Sequence, residues 1–403
     1  MRSITAGNHS DLTEMNRSAV VKILQQQEIC SRASIARQTG LTQAAITKIT
    51  AALMELGIVS EAGSLKGDGN RRSIGLRLNA DRHQVIGVKF ARGSFAVGVF
   101  DISGKMYSQF ETEYSLDDEP GIVLAAMKSR IHHALGEHGR IVAIGMAVPG
   151  PFLRDEGRTA LVTRRSAWDA VNFQEEFTEA FDTPVFIEHD ANAGAMAEWW
   201  FGHTGRRVHT LAYLLAGEGV GAGVIEDGRL LLGARGAAGE LGHISVNVDG
   251  PRCECGNYGC LELYCSASAL LGKIREGGSD GIQPQPETCG AVFQAARAGN
   301  PKALAAVREA ARYLGYGCVT LINAYNPDII TIGDSMAGGG DLMLPLIREV
   351  VKQRTLPELH RRVHIQMTGL GLDPTLYGAA AIATDKVLSL PSAFSGEKKK
   401  EPK

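Results

Sequence analysis

The stretch from Arg252 to Glu262, RCECGNYGCLE, places three of the chain's seven cysteines within eight positions. Thiols this close together in sequence point to a metal ion, because thiolates are its soft ligands. Upstream, His243 completes the spacing H-x9-C-x-C-x4-C. Three thiolates and one imidazole make a closed tetrahedral set, which suits a structural zinc and leaves no open position for a catalytic water. Gly256 and Gly259 let the backbone curl so that the cysteines converge. One zinc per chain is therefore expected on His243, Cys253, Cys255 and Cys260, in a loop spanning 243–262. Cys30, Cys265, Cys289 and Cys318 stand apart and read as packing residues.

The rest of the chain sets the context for that loop. Its 403 residues are 44% apolar and 21% charged, ordinary values for a globular protein of two or three domains. No window approaches the ~18 uncharged apolar residues that a membrane span needs. The N-terminus, MRSITAGNHSDLTEMNRS, lacks the apolar core of a signal peptide. The expectation is a cytoplasmic protein that uses no membrane, where thiols stay reduced and favour metal over disulfide. Charge is uneven: residues 1–80 carry ten Lys and Arg against six Asp and Glu, and the remainder is net acidic. A basic segment on an acidic body points to an anionic partner, nucleic acid first.

Local patterns in the basic segment agree. Residues 17–27 put Val20, Val21, Ile23 and Leu24 on one helical stripe. Ser31 can cap a short helix that stops at Gly40, and Thr42 can cap a third helix, QAAITKITAALMEL, ending at Gly57. Ala36, Gly40, Ile46 and Ile49 have the spacing of a helix-turn-helix. The remaining face of the third helix offers Thr42, Gln43, Ala44, Thr47 and Lys48, side chains suited to base edges and phosphates in a major groove. Two short strands, around Ile58-Val59 and Ile74–Leu78, flank a Gly-rich turn with Arg71 and Arg72. That is a wing, with its arginines placed to reach phosphate or a minor groove. From residue 84, apolar strand runs alternate with helical stretches, the pattern of an α/β body.

In that body, GMAVPGP, EHDANAGAMAE, GARGAAGELGHISV, CECGNYGCLE and NPDIITIGD follow one another. In order and spacing they resemble the ROK family, over about residues 84–385. The resemblance implies an α/β, two-lobed, actin-like sugar-kinase (ROK) fold preceded by a winged helix-turn-helix. The domains would then be residues 1–80, a sugar-binding body over 81–390, and a polar tail over 391–403. The family carries a structural zinc on the cysteine motif. Its pattern also implies sugar contacts from Asp190, Glu240, His243 and Glu262, with His189 and Asn172 in the same pocket. Carboxylates accept paired hydrogen bonds from vicinal hydroxyls, so such a set suits a polyol. His189 departs from the sugar-phosphorylating members, which usually have Asn there.

The family contains both sugar kinases and sugar-responsive repressors. Asp190 stands where the kinases keep their catalytic base, but a sugar-binding repressor would keep it too. The phosphate loops separate the two readings. Where kinases resemble D-x-G-G-T, this chain has Lys89, Ala91 and Arg92; where they resemble G-T-G-x-G-x-G, it has GEGVGAG with Glu218 in place of the threonine; and Asp334 alters a third glycine cluster. The expectation is a sugar-responsive repressor and not an enzyme, the alternative being an ATP-dependent sugar kinase with an appended DNA-binding domain. Its partners would be operator DNA, a small sugar or sugar-phosphate effector and a second copy of itself in a dimer or tetramer. Some relatives add a phosphotransferase-system protein.

Overall fold

A computed structural model describes residues 9–66, 72–115, 117–160, 166–202, 208–275, 286–371 and 373–390. Its body is built on two five-stranded sheets. In the first, the strands run in the order Val185–His189, Ile141–Val148, Gln84–Ala91, Ser94–Asp101, Met106–Glu113. The first three pair in parallel, and the last three form an antiparallel meander. The second sheet repeats the plan: Thr210–Ala216 pairs antiparallel with Val220–Glu226 and parallel with Ile329–Gly333, which pairs in parallel with His364–Met367. Runs such as QVIGVKFA are apolar almost throughout because helices cover both faces of the sheet.

Two helices fill the space between the sheets. Pro374–Ser389 lies on the first sheet, Asp190–Trp200 lies on the second, and the two helices pack against each other. Their sequences, PTLYGAAAIATDKVLS and DANAGAMAEWW, are rich in Ala and Gly because the backbones come close. A Cβ on Gly378 would meet the carbonyl oxygen of Ala193 at 2.1 Å, and one on Gly145 would meet that of Ala379 at 1.8 Å. On its outer face, the second sheet is covered by the 25-residue helix Pro301–Tyr325 and its neighbours.

The N-terminal unit has the expected three helices, His9–Gln27, Arg32–Thr39 and Gln43–Glu55. The first begins well before the stripe that marks it in the sequence. The caps are as read: Ser31 Oγ accepts from Ser34 N at 3.2 Å, Thr42 Oγ1 accepts from Ala45 N at 3.2 Å, and Gly40 ends its helix with φ 72°. The wing strands are Val59–Lys66 and Arg72–Leu78. A short strand, Cys30–Ser31, adds to the second of them and has no signal in the sequence. Arg71 lies outside the described residues, as does the polar tail over 391–403.

This unit is seated on the body rather than tethered to it. Val20, Val21 and Leu24 belong to an apolar cluster that continues through Trp200, Ile382 and Leu388. At the junction the His83 ring meets the Leu56 carbonyl at 3.2 Å, and Asn79 Nδ2 donates to the Gly57 carbonyl at 3.2 Å. Burial pushes the His83 pKa down, so a neutral imidazole donates from Nε2. For the interior, Gly145→Ala is expected to lower stability by about 1–3 kcal/mol, the range for overpacking. A reduced thermal midpoint checks this; an unchanged one would mean that the helix Pro374–Ser389 yields freely.

Candidate functional site

The four metal-ligating candidates converge. The ligand atoms of His243, Cys253, Cys255 and Cys260 all lie within 4.8 Å of one another. Cys253 Sγ is 3.7 Å from His243 Nδ1, and Cys255 Sγ is 3.7 Å from Cys260 Sγ. Those separations match the edge of a tetrahedron of ligands about 2.0–2.3 Å from a central ion, ~3.5–3.8 Å. The loop geometry explains the glycines. Gly256 turns at φ 93° and Gly259 at φ 60°, and a Cβ on Gly259 would collide with the Asn247 carbonyl at 1.6 Å. Asn257 Nδ2 donates to the His243 carbonyl at 2.9 Å, which fixes the histidine's position against the loop. Burial and the neighbouring sulfurs push the Cys260 thiol up to about 12; a bound cation reverses that, since it takes thiolates. The residues present fit a soft divalent ion.

Beside this loop a cavity of 320 Å³ opens between the lobes, and Asp190, His189, Glu240, His243 and Glu262 all line it. Asp190 arrives there because the strand Val185–His189 ends at the cavity and the helix Asp190–Trp200 begins at it, with a carboxylate favoured in the helix's first turn. Glu262 opens a short helix directly after Cys260 and Leu261. Its Oε2 accepts from Val220 N at 3.0 Å, which ties the metal loop to the glycine turn of the second sheet. Glu240 keeps Oε1 buried without a partner. Burial pushes its carboxyl up, against the fields of His189 and His243.

His189 is 4% exposed, and its Nε2 lies 2.9 Å from Asp190 Oδ1. Burial opposes its protonation, but Asp190 and Glu240 outweigh it and the pKa is raised. Two supports were not legible in the sequence. Glu188, fully buried, accepts from His189 N at 2.9 Å and from Asn192 Nδ2 at 3.1 Å and pairs with Arg154. Gly150 leaves room for the imidazole, since a Cβ there would lie 2.1 Å from its Nε2. Asn172 is not among the residues that line the cavity. Its Oδ1 caps the helix Phe173–Thr178 by accepting from Glu175 N at 3.1 Å.

At the cavity's other end stand Lys89, Arg92, Glu218 and Asp334. Lys89 Nζ is 3.0 Å from Asp373 Oδ1, an oxygen that also caps the helix Pro374–Ser389 by accepting from Leu376 N at 3.1 Å. Burial works against the Lys89 charge, yet Asp373 and Asp334 raise its pKa above the ordinary lysine value. Partial enclosure by the cleft raises the Glu218 carboxyl, with Arg92 opposing.

On the N-terminal unit Thr42, Gln43, Thr47 and Lys48 are exposed, while Ile46 and Thr50 of the same helix are buried. The helix therefore turns the expected face outward. Arg72 begins a wing strand. Among the described residues no helix is long and apolar enough to cross a membrane.

Two lobes of repeated topology closing on a carboxylate-lined cavity define a sugar-kinase-like fold. The chain belongs to the ROK family, whose pattern matches residues 85–386. It is 31% identical over 397 residues to the xylose repressor of Caldicellulosiruptor bescii, covering 96% of this chain and 99% of that protein. Among solved structures it resembles a ROK family transcriptional regulator described as a homologue of the Escherichia coli Mlc protein, with TM-score 0.81 and 27% identity over 96% of this chain and all of that one. A ROK family glucokinase from Streptomyces griseus, solved with glucose and AMPPNP, superposes with TM-score 0.65 and 28% identity, on 74% of this chain and 99% of its own.

The His189 geometry carries a pH signature. The folded state holds this proton more tightly than the unfolded chain, whose ordinary value is 6.5. The pair's contribution is therefore full below that value and lost as pH rises through the elevated one. His189→Asn is expected to melt below the unaltered protein at about pH 6, with the gap narrowing as pH rises. A gap that widens with pH contradicts the ion pair.

Proposed function

We propose that this protein is a DNA-binding transcriptional repressor whose hold on its operator is set by a small sugar in the interlobe cavity. The observation that carries the reading is the N-terminal unit: three capped helices and a wing, with Thr42, Gln43, Thr47 and Lys48 on an exposed helix face. The glucokinase likeness covers 74% of this chain, whereas the repressor and regulator likenesses cover 96% and so take in this unit. Residues 1–80 are taken as the DNA-binding domain, with Arg71 and Arg72 of the wing on the phosphates, and 81–390 as the sugar-binding body. Asp190, Glu240, His243 and Glu262 would grip the sugar hydroxyls, with His189 orienting Asp190. The S₃N donor set supports zinc as the ion, holding His243 and Glu262 in place without touching substrate chemistry.

The kinase alternative is weaker. Asp190 would serve as its base, but the Lys89–Asp373 ion pair and Glu218 at the cleft would disfavour a nucleotide's phosphates there. We read the protein as a non-enzyme acting in the cytoplasm.

A mechanical link supports the coupling. The helices Asp190–Trp200 and Pro374–Ser389 begin at the cavity, where Asp190 and Thr375 line it, and Trp200, Ile382 and Leu388 pack with Val20, Val21 and Leu24 of the N-terminal unit. Lobe closure on a sugar is a hinge motion, and these helices would carry it to the DNA-reading helix. In a dimer it would alter the separation of two such helices, and hence their fit to paired half-sites.

Metal analysis of the purified protein is expected to give one zinc per chain, with retention falling sharply in Cys255→Ser. Full retention in that variant removes the assignment. At an operator selected in vitro, Lys48→Ala is expected to weaken binding and flatten the salt dependence by roughly one unit of slope. A saturating sugar is expected to change operator affinity of the unaltered protein by a factor of about 5–150 and to have no effect in Glu240→Ala. Unchanged affinity in both would move control from the cavity to a protein partner.

A further inference from the structure

The cavity described above has two ends with different electrostatic surroundings. The Glu240 carboxyl feels His189, His243, Asp190 and Glu262, whereas the Glu218 carboxyl feels Arg92, Asp334 and Lys89. Asp190, Glu218, Glu240, Glu254, Glu262 and Asp334 line the space, against Lys89 and Arg92 as its only lysine and arginine among the described residues. Lys89 is already engaged by Asp373 at 3.0 Å. Arg92 is left facing Glu218. Polar atoms also wait for a ligand at the first end. His189, 4% exposed, leaves Nδ1 without a partner, and Glu240 leaves Oε1 buried and unpartnered.

We infer that the cavity selects an uncharged, unphosphorylated sugar and rejects its phosphate ester, with Glu218 as the residue that sets this selectivity. The inference rests on the reading of the cavity as a sugar site and decides which form of sugar enters it. A phosphate monoester brings about −1.5 to −2 charges at neutral pH. Turned toward Asp190, it meets three carboxylates. Turned the other way, it meets Glu218 and Asp334, with Lys89 already paired to Asp373 and Arg92 set against Glu218. Neutral hydroxyls have no such conflict, because carboxylates accept hydrogen bonds from them in either orientation. Glu218 holds the key place because it sits in the glycine turn of residues 217–221, next to Gly219, whose Cβ position lies 2.7 Å from Glu262 Oε2. The turn that carries the repelling charge therefore abuts a carboxylate of the sugar end. Glu218 is a specificity-determining residue and touches no reacting atom.

The test is isothermal titration of the full zinc-loaded chain with D-xylose, D-glucose and N-acetyl-D-glucosamine, each against its terminal phosphate ester. At least one free sugar is expected to bind at least tenfold more tightly than its ester. In Glu218→Gln, which keeps the side chain's shape, that ratio is expected to fall at least tenfold, and Glu218→Thr should do the same. A result in which every free sugar that binds is matched by its own ester overturns this inference and leaves the sugar site intact. So does a ratio unmoved in both variants, provided they melt like the unaltered protein. If no sugar and no ester binds, the reading of the cavity fails and takes this inference with it.

Discussion

The near-contact of backbones where the helices Asp190–Trp200 and Pro374–Ser389 cross is the constraint on which the rest of the molecule depends. Side chains larger than a methyl would force the helices apart, and with them the two sheets. Close crossing sets the distance between lobes and so the width of the cavity. It also brings both helix starts to the cavity, where Asp190 and Thr375 line it. Apolar burial supplies most of the favourable energy of such a core, but the small residues decide its geometry.

The metal loop works on a shorter scale. Within 243–262 the cysteines, the glycines and Asn257 hold one another, and the loop's output is the placement of two side chains, His243 and Glu262. Glu262 is the connection outward, through its hydrogen bond from Val220 N. A loop whose four ligands could share one ion suits this task, because a polar cavity wall offers little apolar surface to bury.

What the sequence made legible follows the range of the interactions. Ser31, Thr42 and Gly40 act on atoms three or four residues away, so the helices they cap could be read directly. The metal set was legible because its chemistry admits few residue types and three ligands fall within eight positions. Asp373 was not, because its lysine partner is 284 residues distant. Gly150 was hidden for the same reason, and so was the pairing of Glu188 with Arg154, although Glu188 also bonds its near neighbours His189 and Asn192. Asn172 shows the limit of analogy: a residue type suited to binding a hydroxyl is equally suited to capping a helix, and its place in the fold assigns it to the cap. Arg71 is outside the described residues, and its role rests on sequence alone.

The seam between the N-terminal unit and the body bears on how such proteins diversify. His83 and Asn79 fasten the end of the third helix, and Val20, Val21 and Leu24 share a core with Trp200 and Leu388. The reading head is thus not an interchangeable module on a string. Gln43, Thr47 and Lys48 stand exposed on the third helix, while Thr42 beside them also caps it. Grafting a whole foreign head would require rebuilding the seam, residue against residue. Substitution is therefore cheap at the exposed helix face and expensive at the joint, where each side chain is matched to a partner.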